Sequence, residues 1–294
     1  MKKTHTLLNP RIGSTFKALF TQDTPASREA LRAFLAAATE RPITSVELSA
    51  RDAPIGTNTQ PNAGCNIICK CDDGLAVNIE MQTCNPNYDY ATRAAYQVAL
   101  LEAPYIRESI FWDLMPPAFQ ITVLDCACAA KDDGETPKAA EQSPVSRYAM
   151  RTADGRELIE NTLNVIFIDL SKTAPLQASI ETNTPLENWA IFLKNADNPA
   201  RQDIIQKLVE KEAGLLQARE SLASISENQA QRIAQYRQEI FERDMRSGLS
   251  AARQEGLKAG LEEKAVQIAK KYMALGHSTE EAAELARIDV AELR

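Results

Sequence analysis

The chain has 294 residues, 44% of them hydrophobic and 25% charged, with a formal net charge of −7. That is room for one sizeable α/β domain with an appendage, and the acidic balance argues against a broad, nonspecific grip on nucleic acid. No apolar run approaches the roughly 18 residues of a membrane span, and no apolar signal core follows the MKK start, so a cytoplasmic protein with no membrane partner is expected.

The first twenty residues hold Lys2, Lys3, Arg11 and Lys17 and no acid. TPASREALRAFLAAA (24–38) predicts a helix: Thr24 caps it, Pro25 suits its first position, and Leu31, Phe34 and Leu35 line one face. ITSVELSA (43–50) predicts a strand, and residues 51–64, rich in Pro, Gly and Asn, a loop. CNIICKCDDGLAVNIEMQTC (65–84) predicts a hairpin. Val77, Ile79 and Met81 alternate with Asn78, Glu80 and Gln82, which separates an apolar from a polar face. Asp72-Asp73-Gly74 suits a three-residue turn with Gly74 at the position of positive φ. Cys71 then pairs with Leu75, Ile68 faces Asn78, and Asn66 faces Glu80. Directly opposed Cβ atoms lie about 4.5–5.5 Å apart, so Asn66, Glu80 and Gln82 are expected to converge.

DYATRAAYQVALLEA (89–103) predicts a helix capped by Asp89 or Asn87. PAFQITVLDCAC (117–128) is apolar and β-branched and predicts a buried strand. KDDGETPKAAEQSP reads as a loop, and SRYAMRTADGREL and LNVIFIDL as two more strands. The order α, β, β, β, α, β and further strands describes an α/β domain. From about residue 186 strand signals stop and helix formers dominate. Ile204, Ile205, Leu208 and Val209 form one apolar stripe; Ile233, Tyr236, Ile240 and Phe241 form another. The heptads are not clean, and Gly256 and Gly260 weaken the helical pattern. Gly276 ends a helix, and Ser278 with Glu281 predicts a capping box for a last one. The expected domains are therefore 1–185, a helical extension over 186–265, and a small helical unit over 266–294.

The six cysteines (65, 69, 71, 84, 126, 128) are spaced C-x3-C-x-C and C-x-C, which fits buried strand cysteines better than zinc. His5 and His277 sit in poor contexts for catalysis, and Trp112 and Trp189 read as packing residues. The chemistry gathers at the hairpin. A hard cation wants oxygen ligands: Glu80 offers a carboxylate, Asn66 a neutral carbonyl oxygen, and Gln82 a group to place water or phosphate. Such a centre suits phosphodiester cleavage. A solvated sheet face accounts for the same alternation.

VNIEMQ followed by YDYATRAAYQ resembles the Rpn family of recombination-promoting nucleases and transposases, within the PD-(D/E)XK nuclease superfamily. NPRIGSTFKALF, ITSVELSA, FQITVLD, LNVIFIDL and the tail ending LGHSTEEAAELARI are similar too. The resemblance implies an α/β, restriction-endonuclease-like core with a helical C-terminal extension, acting as a DNA endonuclease with magnesium or manganese. It implies Glu80, Gln82 and Asn66 as catalytic positions and Glu80 and Asn66 as metal ligands. Gln82 takes the place of the superfamily's lysine. Arg93 and Tyr96 on the following helix, and Lys17 in the first matching stretch, are the substrate-binding candidates. Two departures stand out: Asn66 occupies the family's aspartate position, and Gly13, Ser14 and Thr15 precede Phe16 where an acid is usual. The alternative is a catalytically degenerate relative that binds DNA or a partner, with the helical tail as an assembly module for a homo-oligomer.

Overall fold

A computed structural model describes residues 6–49, 66–83, 89–107, 115–125, 143–152, 154–156 and 162–293. Lys2, Lys3, His5, Asn87, Trp112, Cys65, Cys84, Cys126, Cys128, the loop at 51–64 and most of the loop at 131–144 lie outside the described residues. Helix α1 (Gly13–Thr21) is buried along its whole length. Helix α2 (Pro25–Thr39) starts at Thr24, whose hydroxyl accepts from the Ser27 N–H, and it turns Leu31, Phe34 and Leu35 inward.

Six strands follow: β1 (Val46–Leu48), β2 (Ile67–Cys71), β3 (Ala76–Gln82), β4 (Ala118–Leu124), β5 (Val145–Ala149) and β6 (Leu163–Asp169). They form one sheet in the order β1-β2-β3-β4-β6-β5. The central neighbours β3, β4 and β6 are parallel, and the flanking pairs are antiparallel. The β2–β3 turn is the one the sequence predicts. The Cys71 N–H reaches the Leu75 carbonyl at 2.8 Å, and Gly74 takes φ +78°. The Asp72 carboxylate accepts from the Ser45 hydroxyl and the Thr44 and Ser45 backbone N–H groups, tying β1 to the turn. The Ser45 hydroxyl first, then the Thr44 N–H, hold this carboxyl at about 2. Cys69 and Cys71 are buried, as expected of strand cysteines.

Helix α3 (Tyr90–Arg107) carries the chain from β3 to the parallel β4, the crossover that parallel pairing requires. Asp89 caps it, accepting from the Thr92 N–H at 2.9 Å. The two sheet faces differ in chemistry. Val77, Ile79, Met81, Phe119, Ile121, Val123, Ile166 and Ile168 join the main core with Phe16, Phe20, Phe34, Trp189 and Phe192. The opposite face of β3 and β4 is also buried, yet it carries Asn78, Glu80, Gln120 and Thr122. Helix α3 packs on that face and buries Tyr90, Ala94 and Val98, spaced four residues apart.

Helices α4 (Pro185–Asn195), α5 (Gln202–Lys211) and α6 (Ala213–Glu227) complete the core rather than extend from it. A capping box of Thr184 and Glu187 starts α4, which buries Trp189 and Phe192. Ile204, Ile205, Leu208 and Val209 of α5 are buried, as their spacing predicts. Gly214 brings α6 against α2: a Cβ there would lie 2.3 Å from the Ala33 Cβ. Helix α7 runs over Gln229–Ala274, uninterrupted by Gly248, Gly256 or Gly260. Its first turns hold the N-terminal segment through Gln235 Oε1, which accepts from the Asn9 N–H (2.9 Å), and Gln238 Oε1, which accepts from the Ser14 N–H (2.7 Å).

The expected boundary at residue 185 and the packing of the chain are different divisions. Secondary structure changes character there, but the chain divides into compact units at 1–238 and 239–294. Within the second unit Gly276 (φ +97°) ends α7, and the Ser278–Glu281 capping box opens α8 (Thr279–Ala286) as predicted. His277 stacks on Tyr272 with centroids 4.2 Å apart. Among the described residues no helix is long and apolar enough to cross a membrane.

Candidate active site

Glu80 sits in the middle of the buried polar face, 1% exposed. Parity places it there, because β3 alternates and its apolar partners face the main core. A solvated sheet face is thereby excluded as the reason for the alternation. The parallel register sets Glu80 beside Thr122 and Asn78 beside Gln120. The antiparallel register sets Ile68 opposite Asn78 and Ile67 opposite Ile79. The pairing ends there, and half-buried Asn66 is the residue just before β2.

Both carboxylate oxygens of Glu80 are engaged. Oε2 accepts from Arg93 Nη2 at 2.9 Å and Nε at 3.3 Å, from Gln82 Nε2 at 3.0 Å and from Gln97 Nε2 at 3.3 Å. Oε1 accepts from the Thr122 hydroxyl at 3.2 Å. That hydroxyl accepts from Gln120 Nε2 (3.0 Å), and Gln120 Oε1 accepts from Asn78 Nδ2 (2.7 Å). The ladder has one direction. An acceptor at Glu80 forces Thr122 to donate, then Gln120, then Asn78, which leaves Asn78 Oδ1 buried without a partner. Gln97 Oε1 is buried without a partner for the same reason: its amide nitrogen is turned to Glu80.

The structure therefore brings Glu80, Gln82 and Arg93 together. Asn66 precedes β2 and makes none of these bonds to Glu80. Tyr96 is 65% exposed on the outer side of α3 and does not reach the carboxylate. Lys17 is buried in α1 and already engaged within the protein. Sequence reasoning did not select Gln97, Thr122 or Gln120. Gln97 is four residues after Arg93, hence on the same helical face. Gln120 and Thr122 are polar at alternate positions of an otherwise apolar strand, a signal present in FQITVLD.

The donors present do not fit a divalent cation. Among the described residues Glu80 is the single carboxylate of the cluster, and no three His, Cys, Asp or Glu side chains gather as metal ligands. Glu80 is paired with a guanidinium. A divalent ion about 4 Å from such a group is repelled by roughly 8 kcal/mol at an effective dielectric constant of about 20. The other oxygens among Glu80's partners, on Gln82, Gln97 and Thr122, belong to neutral amides and a hydroxyl.

A family model described as PD-(D/E)XK nuclease family transposase matches residues 10–252. Neither a curated protein nor a solved structure matches the chain. The matched region takes in the helix–strand order, the hairpin and the Glu80 cluster, and the chain belongs to the PD-(D/E)XK nuclease family transposases.

Proposed function

We propose that this chain is a DNA-binding member of the family that has lost phosphodiester hydrolysis. The carrying observation is Asn66 in the sequence position where the resemblance places an aspartate, with Glu80, among the described residues, as the one acid of the cluster. Nucleases of this superfamily use divalent metal ions, and exchanging Asp for Asn removes one of the charges that hold such an ion. DNA as the partner follows from the family. Exposed Tyr96 offers α3 as the contact element.

Fluorescence anisotropy on a labelled duplex tests binding. The expected result is saturable binding that Tyr96→Ala weakens. No saturable binding at low salt would contradict the reading.

A second reading is a metal-dependent endonuclease that uses magnesium or manganese. Its support is the retained, buried Glu80-x-Gln82 pair. It requires metal-dependent nicking by the unmodified chain that Glu80→Ala removes.

A further inference from the structure

We propose that Arg93 stands where the divalent cation of the family would stand, so that the Glu80 centre is a closed ion pair independent of metal. The inference deepens the reading above and rests on it.

Three observations carry it. The first is occupancy. A carboxylate has about four lone-pair positions. Here Arg93, Gln82 and Gln97 converge on one oxygen and Thr122 takes the other. An ion could approach Oε2 only by displacing the guanidinium.

The second is charge. Glu80 is 1% exposed, and a buried carboxylate needs a cationic partner to remain folded. With Asn66 and with Gly13, Ser14 and Thr15 at the positions of the missing acids, Glu80 is the one negative charge of the cluster among the described residues. One guanidinium balances it, whereas a divalent ion would leave it positive. Arginine suits this place because it stays charged and offers two N–H groups to one carboxylate.

The third is delivery. Arg93 projects from α3 between Tyr90 and Ala94, which are buried on the same sheet face. Packing of the helix therefore brings the charge to the site. Arg93 is a positioning residue in this account, and α3 docking and Glu80 depend on each other.

Thermal melting and Mn2+ titration calorimetry on the full chain test the proposal. The parent is expected to melt at the same temperature in Mn2+ and in EDTA, with no saturable heat of Mn2+ binding. Arg93→Gln is expected to melt several degrees lower in EDTA and to recover in Mn2+, as the ion takes the vacated place beside Glu80. The double variant Glu80→Gln with Arg93→Gln is expected to respond to neither. If Arg93→Gln does not fold in EDTA, refolding it in Mn2+ gives the same answer: recovery supports the proposal and failure overturns it. Saturable Mn2+ stabilisation of the parent also overturns it, as does an Arg93→Gln defect that Mn2+ leaves unchanged. Plasmid nicking is read separately. Nicking by the parent removes the proposed function, whereas Mn2+ binding by a parent that does not nick removes this inference alone.

Discussion

Thr122 shows how much the Glu80 arrangement asks of its neighbours. Its hydroxyl donates to Glu80 and accepts from Gln120, all within the buried face. Thr122→Val keeps the shape but strands a carboxylate oxygen and a Gln120 N–H. A loss of about 2 kcal/mol is expected, read as a shift in the denaturant midpoint with an unchanged slope. Glu212 offers a pH-dependent counterpart. Burial pushes its carboxyl above the ordinary 4.5, outweighing the Asn188 hydrogen bond and the nearby Lys211 charge. A raised folded value means that the fold favours the protonated form, so stability is greatest at low pH and falls as pH rises through that value. Glu212→Gln should therefore stabilise the protein at pH 7, with the gain vanishing near pH 4. A gain that persisted at pH 4 would point to packing instead. Glu80, Gln82 and Arg93 were legible in the sequence because they lie within one hairpin and the helix after it. Thr122 and Gln120 were not, because selecting them requires knowing that β4 lies parallel to β3 with Thr122 level with Glu80.

Two glycines on neighbouring helices separate close packing from open surface. Gly214→Ala would set a Cβ 2.3 Å from the Ala33 Cβ and force α6 away from α2. Overpacking of this kind costs about 1–3 kcal/mol, measurable by chemical denaturation. Gly256 in α7 has nothing within 4 Å of the added atom. Gly256→Ala should raise helix stability by about 0.5–1 kcal/mol, seen as a small gain in helicity on warming. Equal effects at the two sites would contradict the packing described. The sequence shows both as breaks in a helical pattern. It does not show that one of them lies against another helix, because that depends on residues some 180 positions away. The turn and the pairing from Ile67–Ile79 inward were legible for the opposite reason, since they lie in one contiguous stretch.

At the scale of the whole molecule, the order α, β, β, β, α, β was readable from periodicity, and the extent of the domain was not. The change of composition at residue 186 marks the end of the strands. The core continues through Trp189, Phe192, Leu208, Leu215 and Leu222. Amphipathic helices look alike whether they cover a sheet or stand apart, so composition alone could not place them. A chain ending at Gln238 is expected to unfold cooperatively in circular-dichroism melts, at nearly the parent's temperature. A chain ending at residue 185 is expected not to fold. The reverse order of stabilities would restore the shorter domain. The second apolar stripe has no such role: Ile233 and Tyr236 are exposed.

The most direct measurement is nicking of supercoiled plasmid in Mg2+ and in Mn2+ by the parent, Glu80→Ala and Asn66→Asp. No nicking above a metal-only control is expected from the parent or Glu80→Ala, and the first detectable nicking from Asn66→Asp, whose second carboxylate supplies the charge that lets the ion displace Arg93 from Glu80. Metal-dependent nicking by the parent that Glu80→Ala abolishes would contradict this expectation, and would establish an Asn66-containing centre as a working nuclease.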